Sequence, residues 1–323
     1  MANDRPEDVQ NVRDDISDAG SDVSSTVNSE FGLFADPPDY YPPSPPPTTE
    51  QHALGRSGVQ LTLHLVGHSV LEAHRLWNGS RVMADYFEDE EAQGREVIKD
   101  KTVLELGAGA GLPSIVCGLV LGARKVVVTD YPDPDLVATM RKNIEEAEAG
   151  AAKSSQSEGL TPGRVVADGY VWGGDPKPML AHLSEKGDEK YDVVLLADLL
   201  FRHAEHSKLA YSVAQTLKKN LDSRSYVFFT SYRPWLRHKD LAFFEEARDV
   251  GLVVEHLMEK RLEKPPLFFE NDRGDAGVRS TVSGYSLRWP DVAKGEDPAT
   301  YWPPPGGIPV VEAPKGADEA AEA

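Results

Sequence analysis

The run Val103-Leu104-Glu105-Leu106-Gly107-Ala108-Gly109-Ala110-Gly111-Leu112 constrains this chain more than any other stretch. Four residues that read as a buried strand lead into three glycines at alternate positions, and Leu112 onward reads as a helix start. A strand, a glycine turn and a helix N-terminus in succession open a βαβ unit. Glycines let backbone N–H groups come close to a ligand, and the helix dipole favours a negative group there. The spacing is not the dinucleotide fingerprint G-x-G-x-x-G, whose third glycine falls at the sixth position. Here that position is Leu112; Gly111 comes one residue early, and Glu105 stands two residues before the first glycine.

The flanking chain repeats the pattern. Val59 to Leu65 alternates at period two as a half-buried strand, with a hairpin partner expected in Ser69 to Glu72, and Ser80 to Glu91 carries Val82, Met83, Tyr86 and Phe87 on one helical face. Strands are then expected at Lys125 to Asp130, Arg164 to Asp168, Tyr191 to Ala197, Tyr226 to Ser231 and Leu252 to Met258, with helical stretches between them. Alternating strands and helices make an α/β doubly wound sheet with right-handed crossovers. The last strand, Arg279 to Trp289, follows its predecessor through the polar loop Lys264 to Gly277 with no helix, so the pair must run antiparallel.

The ends have a different composition. Residues 1–30 are acidic, poor in large apolar side chains and expected to be disordered; residues 31–50 hold Phe34, Tyr40 and Tyr41 among prolines and are expected to pack on the domain. The globular part spans 51–290, and 291–323 returns to a disordered composition. Of the net charge of −19, residues 1–50 carry −9 (11 acidic, 2 basic) and 291–323 carry −5 (7 acidic, 2 basic), which leaves −5 for the globular part. No dense Lys/Arg cluster provides the basic face that phosphate contacts demand, so nucleic acid is not expected as a partner. Cys117 is the single cysteine, no secretory signal opens the chain, and no apolar run is long enough to span a bilayer. A soluble, cytoplasmic, monomeric protein without metal is expected.

Ligands of open α/β sheets bind beyond the carboxyl ends of the strands. The strands end at Glu105 with the glycine loop, at Asp130, at Asp168 followed by Trp172, and at Ala197-Asp198. Asp130 lies 23 residues after Gly107, close to the separation of about 20 at which an acid meets ribose hydroxyls; it also reads as a cap for the next helix. Asp168 and Trp172 fall where an adenine would lie, one as an acceptor for its amine and one as a stacking surface, although Trp172 equally reads as a packed aromatic. Trp77, ahead of the first helix, reads either as a cofactor contact or as core.

The glycine spacing with Glu105 resembles the nucleotide loop of class I S-adenosylmethionine-dependent methyltransferases, and a parallel sheet closed by a reversed strand resembles their seven-stranded, Rossmann-like fold with an N-terminal hairpin and helix added. Taken with Leu33 to Thr49, Leu76-Trp77-Asn78-Gly79, Trp172-Gly173 and Ala197 to His203, the chain resembles the fungal branch of lysine-type protein methyltransferases over roughly Phe31 to Trp289. That resemblance implies S-adenosylmethionine as cofactor, lined by Trp77, Gly107, Ala108, Gly109, Asp130, Trp172 and Ala197, with Glu105, Gly111 and Asp168 in support. It implies methylation of an N-terminal glycine amine and the adjacent lysine of translation elongation factor 1-alpha. The related Asp-x-x-Tyr is here Asp198-Leu199-Leu200-Phe201, which lacks the hydroxyl. Asp198 is expected to hold the incoming amine while Phe201, Tyr232 and Trp235 shape an aromatic channel. A small-molecule N-methyltransferase with a nicotinamide-like substrate, an NAD-linked oxidoreductase and a non-enzymatic scaffold are the competing readings.

Overall fold

The computed structural model describes residues 45–153, 163–183, 189–263, 274–304 and 307. The expected packing of Phe34 to Tyr41 lies outside them. Nine strands and eight α-helices are formed among the described residues. Strands β1 (Thr48–Ala53) and β2 (Gln60–Leu65) pair antiparallel as a hairpin, Thr48 opposite Leu65 and Ala53 opposite Gln60. The partner of the alternating strand therefore precedes it, and the expectation of Ser69 to Glu72 is corrected. Thr48 to Ala53 is largely exposed, so no apolar face marks it in the sequence. Ser69 to Glu72 instead turns, with the Glu72 N–H on the Ser69 carbonyl at 3.0 Å.

The main sheet contains β3 (Thr102–Leu106), β4 (Lys125–Asp130), β5 (Val165–Gly169), β6 (Val193–Ala197), β7 (Arg224–Thr230), β8 (Val253–Arg261) and β9 (Thr281–Arg288). Their spatial order is β5-β4-β3-β6-β7-β9-β8. The first five run parallel, and β9 inserts antiparallel to both β7 and β8. The fold is thus the seven-stranded, doubly wound arrangement with a reversed last strand.

Both faces of the sheet are covered, which is why its strands read as continuous apolar runs. Val126, Val128, Leu195 and Phe228 face α1 (Asn78–Ala92), α2 (Leu112–Leu119) and α3 (Pro134–Lys153). Their neighbours Val127, Val194, Leu196 and Phe229 enter a second core with residues of α5 (His206–Thr216) and α7 (Phe243–Asp249). The alternation is the period of two imposed by the pleat. The remaining helices, α4 (Lys177–Ala181), α6 (Arg237–Leu241) and α8 (Ala276–Arg279), are short; α8 falls between β8 and β9, where no helix is expected from the sequence, and takes up Arg279, but its single turn is too short for a crossover and the two strands pair antiparallel. None of the described helices is long and apolar enough to cross a membrane.

A disordered tail from Asp291 is not what the structure shows for the segment up to Pro304. Trp302 is 3% exposed, with its ring 4.7 Å from Phe244 and 5.9 Å from Tyr285. Glu296 accepts from the Arg288 guanidinium at 2.5 and 3.1 Å. One buried indole and one paired arginine hold a stretch whose Pro, Gly and Ala content suggested disorder.

Candidate active site

The chain proceeds from β3 outward to β4 and β5, then returns to β6 on the other side of β3, so the strand order reverses between β3 and β6. Beyond their carboxyl ends lies a cavity of about 320 Å³, at the lower end of the range for small-molecule sites (roughly 300–1,000 Å³). One wall is the glycine loop and Asp130, a second is Tyr170 to Trp172, a third runs from Ala197 to Lys208, and Leu71 to Trp77 closes the fourth side.

The loop is held by backbone hydrogen bonds, one of them to β4. Ala108 N–H donates to the Thr129 carbonyl at 3.0 Å and Gly111 N–H to the Ala108 carbonyl at 2.9 Å. Gly107 has φ +62°, and a Cβ there would lie 2.6 Å from Leu199 Cδ2 and 2.9 Å from Trp172 Cζ2. Only glycine satisfies both the backbone conformation and the close approach. Gly111 is the N-cap of α2. Glu105 is 1% exposed and does not line the cavity; its carboxylate accepts the Ser114 N–H at 3.0 Å, in the first turn of α2. Burial pushes its carboxyl up to about 8. Glu105 therefore ties β3 to α2 beneath the loop instead of reaching a ligand.

Asp130 lines the cavity. Its Oδ2 accepts the Gly109 N–H and its Oδ1 the Tyr131 N–H, both at 2.7 Å. Burial raises its pKa and these two donors oppose that rise. A carboxylate offers about four acceptor sites, so roughly two remain for hydroxyls in the cavity. Asp168 is turned away: Oδ1 accepts the Gly169 N–H at 2.8 Å and Oδ2 meets His182 Nε2 at 3.0 Å. It is not among the lining residues, which leaves Trp172 and Tyr170 on that side.

Asp198 is 5% exposed with φ +55°, a left-handed conformation unusual for a residue with a side chain. Its Oδ2 accepts the Gly79 N–H in the first turn of α1, and its Oδ1 accepts the Thr230 N–H at 2.8 Å. Its own N–H donates to the Phe228 carbonyl at 2.8 Å. The side chain thus joins the ends of β6 and β7 to the N-terminus of α1. Burial pushes the carboxyl up to about 7 against the pull of the two N–H donors. Gly79 makes the junction fit, since a Cβ there would stand 2.5 Å from Asp198 Oδ2 and 2.8 Å from the Phe228 carbonyl oxygen.

Trp77 lines the cavity, and its Nε1–H donates to the Glu72 carbonyl at 2.9 Å. This pins the loop where Glu72 takes φ +61°. Tyr232 packs on Trp77 with ring centroids 4.9 Å apart, and its hydroxyl accepts the Asn78 N–H at 3.1 Å. Tyr232 therefore backs Trp77 and is not itself a lining residue, and Trp235 is 53% exposed away from the lining. Of the expected aromatic channel, Phe201 reaches the cavity. The structure brings Trp77, Gly107, Ala108, Gly109, Asp130, Trp172, Ala197, Asp198 and Phe201 together; it adds Glu72, Tyr170, Arg202 and Glu205, for which the sequence carries no local signal beyond nearness to motif residues.

The donor set suits an adenosyl group. Free acceptor capacity at Asp130, a glycine backbone that a side chain would obstruct, and two aromatic side chains beyond β5 match the chemistry of ribose hydroxyls and a purine. The architecture is that of a Rossmann-like transferase with its cleft at the strand-order reversal. The lysine methyltransferase family matches residues 60–250, and the chain belongs to that family. It is 53% identical over 288 residues to a protein N-terminal and lysine N-methyltransferase of Neurospora crassa, covering 88% of this chain and 95% of that one. It is 49% identical to the protein of the same description from Gibberella zeae, over 83% of this chain and 98% of the other. The Schizosaccharomyces pombe counterpart is 38% identical over 80% and 96% respectively. Among solved structures, magnesium protoporphyrin IX methyltransferase from Synechocystis, with bound S-adenosylhomocysteine, aligns at a TM-score of 0.40 and 13% identity, over 65% of this chain and 82% of that one.

Proposed function

We propose that this chain transfers methyl groups from S-adenosylmethionine to the α-amine of an N-terminal glycine and to the lysine beside it, with translation elongation factor 1-alpha as the protein substrate. The observation that carries the cofactor reading is the cavity at the strand-order reversal, where Asp130 keeps free acceptor sites beside the glycine loop. The substrate reading draws on the descriptions of the relatives, each a protein N-terminal and lysine N-methyltransferase.

When bound, the cofactor supplies an electrophilic methyl on a sulfonium. The chain's task is alignment, since an in-line displacement gains most from positioning. Gly107 to Gly109 and Asp130 hold the nucleoside, Tyr170 and Trp172 flank its base, and Trp77 with Ala197 bounds the far end. The acceptor must be neutral. An α-amine, with pKa near ~8, releases its proton more readily than lysine near ~10.4, which favours the terminal amine as first acceptor without a dedicated base. Asp198 acts by position and charge: it fixes the first turn of α1 and places a carboxylate at the edge of the cavity. Phe201 offers an aromatic face to each methylated ammonium product.

The test is mass spectrometry of the N-terminal peptide of elongation factor 1-alpha after incubation with the purified protein and S-adenosylmethionine. Methylation at the terminal glycine and the adjacent lysine, abolished at the glycine by prior acetylation of the amine, is the expected result. An unmodified peptide would overturn the substrate assignment.

A further inference from the structure

Arg202 lines the cavity, and its guanidinium has no partner among the described residues. Neighbouring cations are engaged: Arg75 lies 3.9 Å from Glu72, Lys208 lies 3.0 Å from Glu205, and Arg233 donates to the Phe201 carbonyl at 3.4 Å. Among the described residues, Arg202 makes no side-chain hydrogen bond, ion pair or ring contact. Its backbone, by contrast, is firmly placed. Arg202 N–H donates to the Leu199 carbonyl at 3.2 Å, and its carbonyl accepts the Glu205 N–H at 2.9 Å. On either side, His206 Nε2 meets the Leu200 carbonyl at 2.8 Å and His203 Nε2 meets Asp240 Oδ1 at 2.8 Å.

A half-buried guanidinium on a fixed loop, with its donors free, is a preorganised anion site. Elsewhere the lining carries four acids, Glu72, Asp130, Asp198 and Glu205, and two cations, Arg75 and Lys208, each of which already stands beside one of those acids. We infer that Arg202 binds a carboxylate presented by a ligand, through the planar fork that matches that group. The inference rests on the methyl-transfer reading of the cavity, under which the carboxylate has two sources: the amino-acid end of the cofactor, or any acidic side chain that a protein substrate carries beside its methylated amine.

The experiment compares wild type, Arg202→Gln and Arg202→Lys. Calorimetric titration uses S-adenosylhomocysteine and methylthioadenosine, which lacks the amino-acid end. Steady-state KM is measured with N-terminal peptides of elongation factor 1-alpha whose acidic residues are kept or replaced by their amides. If the cofactor supplies the carboxylate, Arg202→Gln weakens S-adenosylhomocysteine about 10- to 100-fold, leaves methylthioadenosine unchanged, and Arg202→Lys recovers part of the loss. If the substrate supplies it, nucleoside affinities hold while KM for the acidic peptide rises to the wild-type value for the amide peptide. Arg202→Gln matching wild type on all four ligands overturns the assignment. Failure of wild type to bind either nucleoside overturns the reading of the site, and the carboxylate assignment with it. Equal thermal midpoints of the three proteins establish that folding is intact.

Discussion

Asp198→Asn separates the charge of this side chain from its shape. In the native state the two carboxylate oxygens accept the N–H groups of Gly79 and Thr230. An amide has one acceptor oxygen, so one of these buried N–H groups faces an NH₂ and is left unsatisfied, at a fixed cost of about 1–3 kcal/mol. A pH-dependent effect is added to that cost. Burial holds the Asp198 carboxyl at about 7, against about 3.9 in the unfolded chain. The folded state binds this proton more tightly, so its contribution to stability is fully present below about pH 3.9 and is lost as pH rises through 7. At about 1.4 kcal/mol per pH unit, with the slope falling off as the folded carboxyl itself titrates, some ~2 kcal/mol of that loss falls between pH 5 and 7. Asparagine does not titrate, and Glu105 contributes equally to both proteins, so the stability difference isolates Asp198. Urea unfolding at pH 5, 6, 7 and 8 is expected to show wild type losing ground to Asp198→Asn by up to about 3 kcal/mol across the window. Parallel curves, or a wild type that gains on the variant as pH rises, would refute the argument.

Gly79→Ala drives a Cβ against Asp198 Oδ2 and the Phe228 carbonyl; the gain of about 1 kcal/mol in helix propensity is outweighed by overpacking of about 1–3 kcal/mol or more, and the thermal midpoint should fall. Asp130→Asn turns an NH₂ toward either Gly109 or Tyr131 and is expected to reduce S-adenosylhomocysteine affinity about 10- to 100-fold by calorimetry; unchanged affinity would remove Asp130 from the ribose site. Trp77→Phe keeps a ring against Tyr232 but loses the donor to Glu72, about 1 kcal/mol. Hydrogen exchange across residues 70–76 should accelerate in that variant while the sheet stays protected.

Local patterns carried the sheet because its central strands β3, β4, β6, β7 and β9 are buried on two faces and each crossover helix keeps its own period. The same holds for the glycine loop and Asp130, which belong to one βαβ unit and meet through the Gly109 N–H. Asp198 shows where locality ends. Its partners, Gly79 and Thr230, are 119 and 32 residues away in the chain, so the strand-end position was legible and the engaged carboxylate was not. Asp168 stands at an equally suggestive strand end, yet its side chain turns to His182 on the far side. Strand-end position specifies a residue's location but leaves its rotamer to neighbours contributed by other elements. Trp302 was missed for a related reason: one aromatic among prolines carries no period, and only the surface formed by Phe244 and Tyr285 gives it a place to bury.

The interior position of β9 has a consequence for synthesis. All eight of its residues are buried between β7 and β8. During translation β7 and β8 emerge first, and each waits with an open hydrogen-bonding edge for a strand that arrives later. The five parallel strands can assemble in the order they are made, whereas closure of this end of the sheet is necessarily a late, non-local event. In that interval the emerging chain exposes unpaired apolar edges, which makes β7 and β8 the segments of a nascent chain that a chaperone would most need to shield.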